Sequence, residues 1–143
     1  MVADTISHPL PYPPPYPNSA TAPYWEAARG GRLLLAWCED CAAPFLYPRA
    51  VCPHCWGSNL SWRQARGSGV IEGAVDVYRP GHPAFRQDVP YTCAVVRLEE
   101  GPRLMTNLDA AGRSFHTGDR VEVSFRERAG YSLPVFVPAE EKP

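Results

Sequence analysis

Two short stretches, Cys38-Glu39-Asp40-Cys41 and Cys52-Pro53-His54-Cys55, decide how this chain folds. Each has the CxxC spacing, and ten residues separate the two pairs. A two-residue gap lets one tight turn aim both thiolates at a single ion, and Zn²⁺ prefers four such ligands at tetrahedral corners. The spacer is long enough for a short strand to return the chain. The four cysteines therefore predict one zinc site, with each pair at a hairpin tip of a rubredoxin-like zinc ribbon.

The same four residues also suit two disulfides, redox-active thiols or iron. A lone CxxC is typical of redox chemistry, whereas two paired ones favour a metal, and the short spacer favours zinc over iron. Four sulfur ligands leave no open coordination position, so we expect a structural rather than a catalytic metal. His54 lies inside the second pair and is expected to be a neighbour of the site or exposed, rather than a ligand.

The residues just before the ribbon, 23–30, predict one or two helical turns. Pro23 suits the first turn, alanines follow, and Gly30-Gly31 ends the helix. Tyr24 and Trp25 are its apolar anchors, either on the core of this chain or on another subunit. The helix and the ribbon together are expected to span residues 23–66.

Residues 1–22 predict a proline-rich extended tail. The run Pro11-Tyr12-Pro13-Pro14-Pro15-Tyr16-Pro17 favours polyproline II, because proline cannot donate backbone hydrogen bonds. One interpretation is a disordered tail. The other is a preformed strap that lays Tyr12 and Tyr16 on a partner, since this conformation has little entropy left to lose on binding.

Short apolar runs separated by turn residues follow the ribbon. Gly67-Ser68-Gly69 opens this region, and the turns include Gly101-Pro102 and Gly118-Asp119. Five strands in about 70 residues indicate a small closed barrel, with a five-stranded OB-fold as the leading interpretation. We therefore expect a mainly β protein with the barrel at 67–138 and a C-terminal tail at 139–143.

The loop from Arg79 to Pro90 is the segment that best fits a recognition element. Proline stiffens it, and it carries four side chains suited to recognition of a ligand, although a solvated connector fits as well. These side chains are Arg79, His82, Phe85 and Arg86. Cys93 sits mid-strand, where a small thiol usually packs. The sequence predicts no catalytic residues.

Composition and charge narrow the function classes. The 143 residues carry 14 Lys plus Arg and 15 Asp plus Glu, a formal charge of −1. Four thiolates and one Zn²⁺ add −2, to a total of about −3. Neutralising phosphates needs a positive excess, so nucleic-acid binding has no support from charge. No run approaches the roughly 18 apolar residues of a membrane helix, and the N-terminus lacks a secretory pattern, so we expect a cytoplasmic protein.

An ordered set of motifs connects these elements: Tyr24-Trp25, Gly31-Arg32-Leu33, Cys38-x-x-Cys41, Phe45 with Pro48-Arg49, Cys52-Pro53-x-Cys55, Gly67-x-Gly69, Pro90-Tyr91, Leu98-x-x-Gly101-Pro102-x-Leu104, Asn107, Gly118 and Pro134-x-Phe136. With this set the chain resembles the zinc-ribbon plus OB-fold proteins associated with thiolases and acyl-CoA hydratases, a family long catalogued as a domain of unknown function. The resemblance covers about residues 23–138.

This resemblance implies a non-catalytic accessory subunit in a hetero-oligomer. The implied partner is a thiolase-like enzyme, a hydroxymethylglutaryl-CoA synthase, an aldolase of sterol side-chain degradation or a hydratase. The chain would complete the partner and help to seat the acyl-CoA, while the partner supplies the catalytic groups. The metal ligands carried over are Cys38, Cys41, Cys52 and Cys55, and the partner-binding candidates are Tyr12, Tyr16, Tyr24 and Trp25. The alternatives are a nucleic-acid-binding module and a stand-alone acyl-CoA-binding protein or enzyme.

Overall fold

The computed structural model describes residues 10–110 and 112–140. The first nine residues of the expected proline-rich tail and the last three of the expected C-terminal tail lie outside these ranges. Within these ranges one α-helix, α1 (Ala22–Arg29), precedes eight strands, and a short 3₁₀ helix (Pro83–Phe85) lies between the fourth and fifth of them. The strands are β1 (Leu34–Cys38), β2 (Ala43–Phe45), β3 (Leu60–Gln64), β4 (Ser68–Val77), β5 (Tyr91–Leu98), β6 (Arg103–Leu108), β7 (Arg120–Arg128) and β8 (Tyr131–Pro138).

Helix α1 joins the ribbon to the barrel. Pro23 lies in its first turn, as expected, and the backbone N–H of Gly30 caps the helix by donating to the carbonyl of Ala27 at 2.9 Å. Tyr24 is buried in the main core, where burial, and secondarily the charge of Tyr47, raises the pKa of Tyr24 to about 12. The rings of Tyr24 and Trp25 meet edge to face at 5.2 Å, and Trp25 meets Tyr131 of β8 at 5.9 Å. The aromatic pair thus anchors α1 on this chain's own core.

The ribbon is a three-stranded antiparallel sheet in the order β2-β1-β3. Side chains alternate between the two faces of a strand, and β1 uses both of its faces. Leu33, just before β1, and Leu35 join the main core, whereas Ala36 and Cys38 belong to a separate small cluster. Strand β1 therefore lies between the two cores of the molecule.

The second region is a closed five-stranded barrel in the order β4-β5-β6-β8-β7. Long antiparallel ladders join β4 to β5, β5 to β6 and β7 to β8, and a register irregularity lies between Ile71 and Gly73. The barrel closes through a short ladder of β4 with β7 and through one parallel pair, Leu108 with Phe136. The predicted five-stranded OB-fold behind a zinc ribbon is confirmed.

Two glycines set the entry of the chain into the barrel. A Cβ on Gly69 would lie 2.7 Å from the backbone oxygen of Arg97 and 2.6 Å from a methyl group of Val96. Gly67 has a φ of +86°, and its Cβ would lie 2.5 Å from Val123. Such close approach and such a φ both require glycine, which gives the Gly67-x-Gly69 motif its physical reason.

One ribbon side chain also completes the barrel wall. Among the described residues, the ladder of β6 with β8 has one pair, at Leu108, and Thr106 reaches β8 through its side chain, whose Oγ1 donates to the carbonyl of Pro134 at 3.1 Å. There the backbone N–H of Met105 donates to the hydroxyl of Tyr47 at 2.9 Å.

None of the helices in the described ranges is long and apolar enough to cross a membrane.

Candidate functional site

The four ribbon cysteines meet at one point. Cys38 ends β1 and Cys41 lies in the turn before β2, while Cys52 and Cys55 lie in the turn between β2 and β3. Their sulfur atoms all lie within 4.8 Å of one another, with Cys38 Sγ 3.7 Å from Cys55 Sγ and Cys41 Sγ 4.0 Å from Cys52 Sγ. A zinc–sulfur distance of about 2.3 Å gives a tetrahedron with edges of about 3.8 Å. The sulfur geometry therefore fits one Zn²⁺.

Backbone groups prepare these sulfurs to bind a cation. The N–H groups of Cys41, His54 and Gly57 lie 3.3–3.4 Å from the sulfurs of Cys38, Cys52 and Cys55 respectively. Hydrogen bonding to the Cys55 thiol, together with burial, raises the pKa of Cys41 to about 12. Burial also disfavours the Cys52 thiolate, but backbone N–H groups outweigh that and lower its pKa to about 7. With four sulfurs this close, full deprotonation requires a bound cation, and a four-sulfur set gives it a structural role.

The residue after each cysteine pair has a left-handed backbone. Ala42 has a φ of 51° and Trp56 a φ of 62°, although neither is glycine. Such a conformation costs an L-residue roughly 1–2 kcal/mol. At Trp56 the turn is held by its N–H, which donates to the carbonyl of Cys52 at 3.0 Å. Both turns are therefore strained, and a metal bound by all four sulfurs would supply free energy to offset that strain.

Two adjoining cavities lie on the barrel. The larger, about 570 Å³, is walled by the 79–90 loop and by the adjoining ends of three barrel strands. Its polar lining includes Asp88, Asn107, Arg126 and Arg128. The smaller, about 310 Å³, lies beside α1 and is mostly apolar. It is lined in part by Tyr24, Trp25, Tyr47, Pro48, Leu104, Leu133, Pro134 and Val135. The two cavities share five lining residues, which are Met105, Thr106, Asn107, Arg126 and Arg128.

The structure brings only one of the four predicted loop residues into the cavity wall. Phe85 lines the larger cavity, whereas Arg79, His82 and Arg86 are exposed and are not among the lining residues. His82 has a local role, because its Nδ1 accepts a hydrogen bond from the N–H of Ala84 at 3.1 Å and so caps the short 3₁₀ turn of the loop.

The predicted partner-binding aromatics separate into three kinds. Tyr24 is 7% exposed and belongs to this chain's own core, which leaves little of it for a partner. Trp25 packs against the same core and lines the smaller cavity. Tyr12 is half-buried on its own barrel, where it contacts Phe85. Tyr16 is 87% exposed.

Sequence reasoning missed the polar side of the larger cavity. Arg126 and Arg128 lie two residues apart on β7, so they point to the same face of the sheet. Each forms an ion pair with an aspartate, Arg126 with Asp109 and Arg128 with Asp88, both at 3.2 Å. The alternation of arginines in Arg126-Glu127-Arg128 was the signal available, but nothing local showed that this face turns toward the 79–90 loop.

The outer surface of the barrel carries an apolar face. Register places Val75 beside Cys93, and Gly73 beside Val95 and then Met105. We call these five residues the outer apolar face. Val75 is 65% exposed and Met105 64%. Contiguous exposed apolar surface of this kind marks interaction sites more often than isolated apolar residues do.

Most arginines of the described barrel are engaged with carboxylates. The side chain of Glu72 pairs with two of them, Arg97 at 3.0 Å and Arg103 at 2.6 Å, and these arginines hold the pKa of Glu72 below its usual value. Glu99 likewise pairs with Arg66 at 3.3 Å and with Arg120 at 3.5 Å. Such pairing leaves little net positive charge for a phosphate backbone.

Two family models together match residues 25–126. The model described as the ChsH2 rubredoxin-like zinc ribbon domain matches residues 25–61. The model described as the ChsH2 C-terminal OB-fold domain matches residues 62–126. The matches thus divide the chain into the same two kinds of structure, ribbon and barrel.

Individual proteins are similar over most of the chain. A probable enoyl-CoA hydratase alpha subunit of Thermomonospora curvata is 36% identical over 129 residues, 89% of this chain, but this chain spans only 40% of its length. A DUF35 domain-containing scaffold protein of Methanothermobacter thermautotrophicus is 33% identical over 92 residues, which is 63% of this chain and 68% of that protein. A solved structure described as an Ltp2-ChsH2(DUF35) aldolase contains a chain that is 34% identical, with a TM-score of 0.76 over 87% of this chain and 98% of that one.

Proposed function

The chain belongs to the family of ChsH2-like zinc-ribbon and OB-fold proteins, and on that basis we propose that it is a non-catalytic accessory subunit of an acyl-CoA enzyme. The observation that carries the proposal is the similarity over 98% of a chain from the Ltp2-ChsH2(DUF35) aldolase. The hydratase-subunit and scaffold descriptions of two other relatives support the same role. The partner is a thiolase-like, aldolase or hydratase subunit, which supplies the catalytic groups.

The metal has a supporting part in this role. Cys38, Cys41, Cys52 and Cys55 hold one Zn²⁺, and the four sulfurs leave it no position for substrate. When bound, the ion supplies folding free energy to the ribbon rather than chemistry to a reaction. The ribbon in turn presents Tyr47 and Pro48 to the smaller cavity.

The outer apolar face is the surface that binds the catalytic subunit. Its exposed Val75 and Met105 lie beside Glu72, whose single carboxylate is shared by Arg97 and Arg103, so that these three groups together carry a net charge of +1. A partner that covers Val75 and Met105 with apolar side chains and leaves the two arginines at the solvated rim buries no uncompensated charge, as a stable interface centre requires.

The two adjoining cavities seat the acyl-CoA at the shared site. The smaller, apolar cavity suits an acyl group, and the larger one offers Asn107, Arg126 and Arg128 as hydrogen-bond donors to the polar arm. Arg79 and Arg86, exposed on the adjacent loop, are then the groups available to the CoA phosphates.

Co-expression tests the proposal. We expect the chain to co-elute on size exclusion with a thiolase-like, aldolase or hydratase subunit encoded beside it, and to have no turnover of acyl-CoA alone. Val75→Asp places a charge on the outer apolar face and should weaken the complex by about tenfold or more. The matched control is Leu10→Asp, an equally drastic change at an exposed apolar residue outside this face, which should leave the complex intact. Separate elution from every such subunit, or turnover by the chain alone, would contradict the proposal.

A further inference from the structure

The strap, residues 10–17, lies before the first residue matched by either family model. It has no regular secondary structure, and most of it is exposed. Tyr12 is an exception, because it is half-buried against residues that follow it by more than 70 positions. The contacts of Tyr12 therefore need an explanation that neither the family match nor the proline content provides.

The hydroxyl of Tyr12 is fixed by two partners on the 79–90 loop. It donates to Asp88 Oδ1 at 2.9 Å and accepts from Gln87 Nε2 at 3.0 Å. One group that donates and accepts at once has little freedom to rotate. The phenol thus holds the loop at two adjacent residues.

The ring of Tyr12 is fixed as well. The guanidinium of Arg128 lies 4.2 Å from its centroid, within the range of a cation–π contact, and the ring of Phe85 lies at 5.4 Å. Arg128 belongs to β7 of the barrel, whereas Phe85 belongs to the loop. Tyr12 is therefore wedged between the loop and the barrel and contacts both.

The ion pair under this ring is the best shielded one in the part of the chain that the structure describes. The side chains of Arg128 and Asp88 are 19% and 21% exposed, whereas every other pair has at least one side chain that is 48% exposed or more. Attraction between charges strengthens as water is excluded, so this pair holds the loop more firmly than a surface pair would.

The residues that Tyr12 touches also wall the larger cavity. Phe85, Asp88 and Arg128 all line it. We propose that Tyr12 is a positioning residue: the strap pins the 79–90 loop to β7 and so sets how far the larger cavity is open. The consequence for acyl-CoA rests on the function proposed above, whereas the pinning of the loop does not.

Amide exchange measures the pinning directly. The N–H groups of Phe85, Arg86 and Asp88 donate to carbonyls of the loop's own turns at 3.0–3.1 Å, so their exchange rate reports how often these turns open, which the contacts of Tyr12 with Phe85 and Asp88 should restrain. Tyr12→Ala should speed this exchange by about tenfold or more, because two hydrogen bonds and a cation–π contact are lost. Tyr12→Phe keeps the ring and should give an intermediate rate. Tyr16→Ala, the matched control on the same strap, should exchange like the parent protein.

Labelling of Cys93 measures the cavity. Cys93 is half-buried in the cavity wall, so in the zinc-loaded protein its reaction with a fluorescent maleimide should be faster in Tyr12→Ala than in Tyr16→Ala, with Cys93→Ser as the blank. Equal exchange in Tyr12→Ala and Tyr16→Ala would overturn the pinning, and equal labelling would overturn the role at the cavity.

Octanoyl-CoA separates this inference from the proposed function. If no variant binds it in calorimetry while exchange and labelling follow the expected order, the acyl-CoA seat fails and the role of Tyr12 stands. If all variants bind octanoyl-CoA equally, and exchange and labelling do not differ between Tyr12→Ala and Tyr16→Ala, the proposed acyl-CoA site stands and the role of Tyr12 is overturned.

Discussion

The ribbon and the barrel are held together by different means. The separate cluster of the ribbon has four buried residues, and two of them, Cys38 and Cys52, are metal ligands. The main core has twelve buried residues, most of them from the barrel and nearly all of them apolar, and it includes the fully buried Val96, Leu98 and Phe136. Apolar burial of that extent drives folding by itself, whereas a cluster of four residues does not. The difference teaches that the ribbon depends on zinc and the barrel on packing.

The largest expected effect comes from removing one metal ligand. Cys52→Ser should reduce bound zinc from one per chain to near zero and abolish amide protection across residues 38–61, while the barrel strands stay protected. Metal binding in small structural sites contributes about 10–16 kcal/mol, far more than the ribbon cluster can replace. Zinc analysis measures the bound metal, and hydrogen exchange measures the protection of the ribbon and of the barrel.

Cys93→Ser is the matched control for this change. It also replaces a cysteine by serine, but on the barrel rather than in the ribbon, so zinc content should not change. Full zinc occupancy in Cys52→Ser would show that the ribbon does not need all four sulfurs.

A smaller but still large effect is expected from the barrel core. Phe136 is fully buried, so Phe136→Ala should lower the free energy of unfolding by about 3–5 kcal/mol through lost burial and a residual cavity. Zinc per folded chain should remain at one. Denaturant titration measures this loss. The control is Val75→Ala at an exposed position, which should change the free energy of unfolding by no more than about 0.5 kcal/mol. Loss of zinc from folded Phe136→Ala would mean that the two regions are not held independently.

The smallest expected effect tests the strain in the ribbon turns. Ala42 is exposed with a φ of 51°, so Ala42→Gly removes strain without losing packing. The gain is offset in part by the greater freedom of glycine in the unfolded chain, and we expect about 0.5–1 kcal/mol of net stabilisation against chelator-induced unfolding.

Ala50→Gly is the control for that change, because Ala50 is also an exposed ribbon residue but is not in the left-handed region. It should be slightly destabilising. Equal effects of the two substitutions would show that the turn at Ala42 stores no strain.

The sequence predicted those features whose cause is local. CxxC spacing predicts the metal set because two ligands three positions apart must share a turn, and alternating apolar runs predict the strands because one face of each is buried. Helix α1 begins at Ala22 rather than Pro23, a one-residue difference at a helix end.

The features that were not predictable depend on long-range placement. Polyproline segments have no periodic pattern to mark a buried side, so nothing near Tyr12 indicates Asp88, 76 residues away. The cavity wall formed by Arg126 and Arg128 depends on how the barrel closes, which strand propensities do not determine. The left-handed backbone at Ala42 and Trp56 could not be predicted from the sequence, because neither residue is glycine.

The single hydrogen bond from Met105 to Tyr47 bears on self-association. An unpaired strand edge is a template on which a strand from another molecule can add, the first step toward aggregation. The N–H of Met105, which such a strand would need, already donates to the Tyr47 hydroxyl at 2.9 Å. Through Tyr47 the ribbon therefore occupies a backbone donor of β6 that strand addition would require.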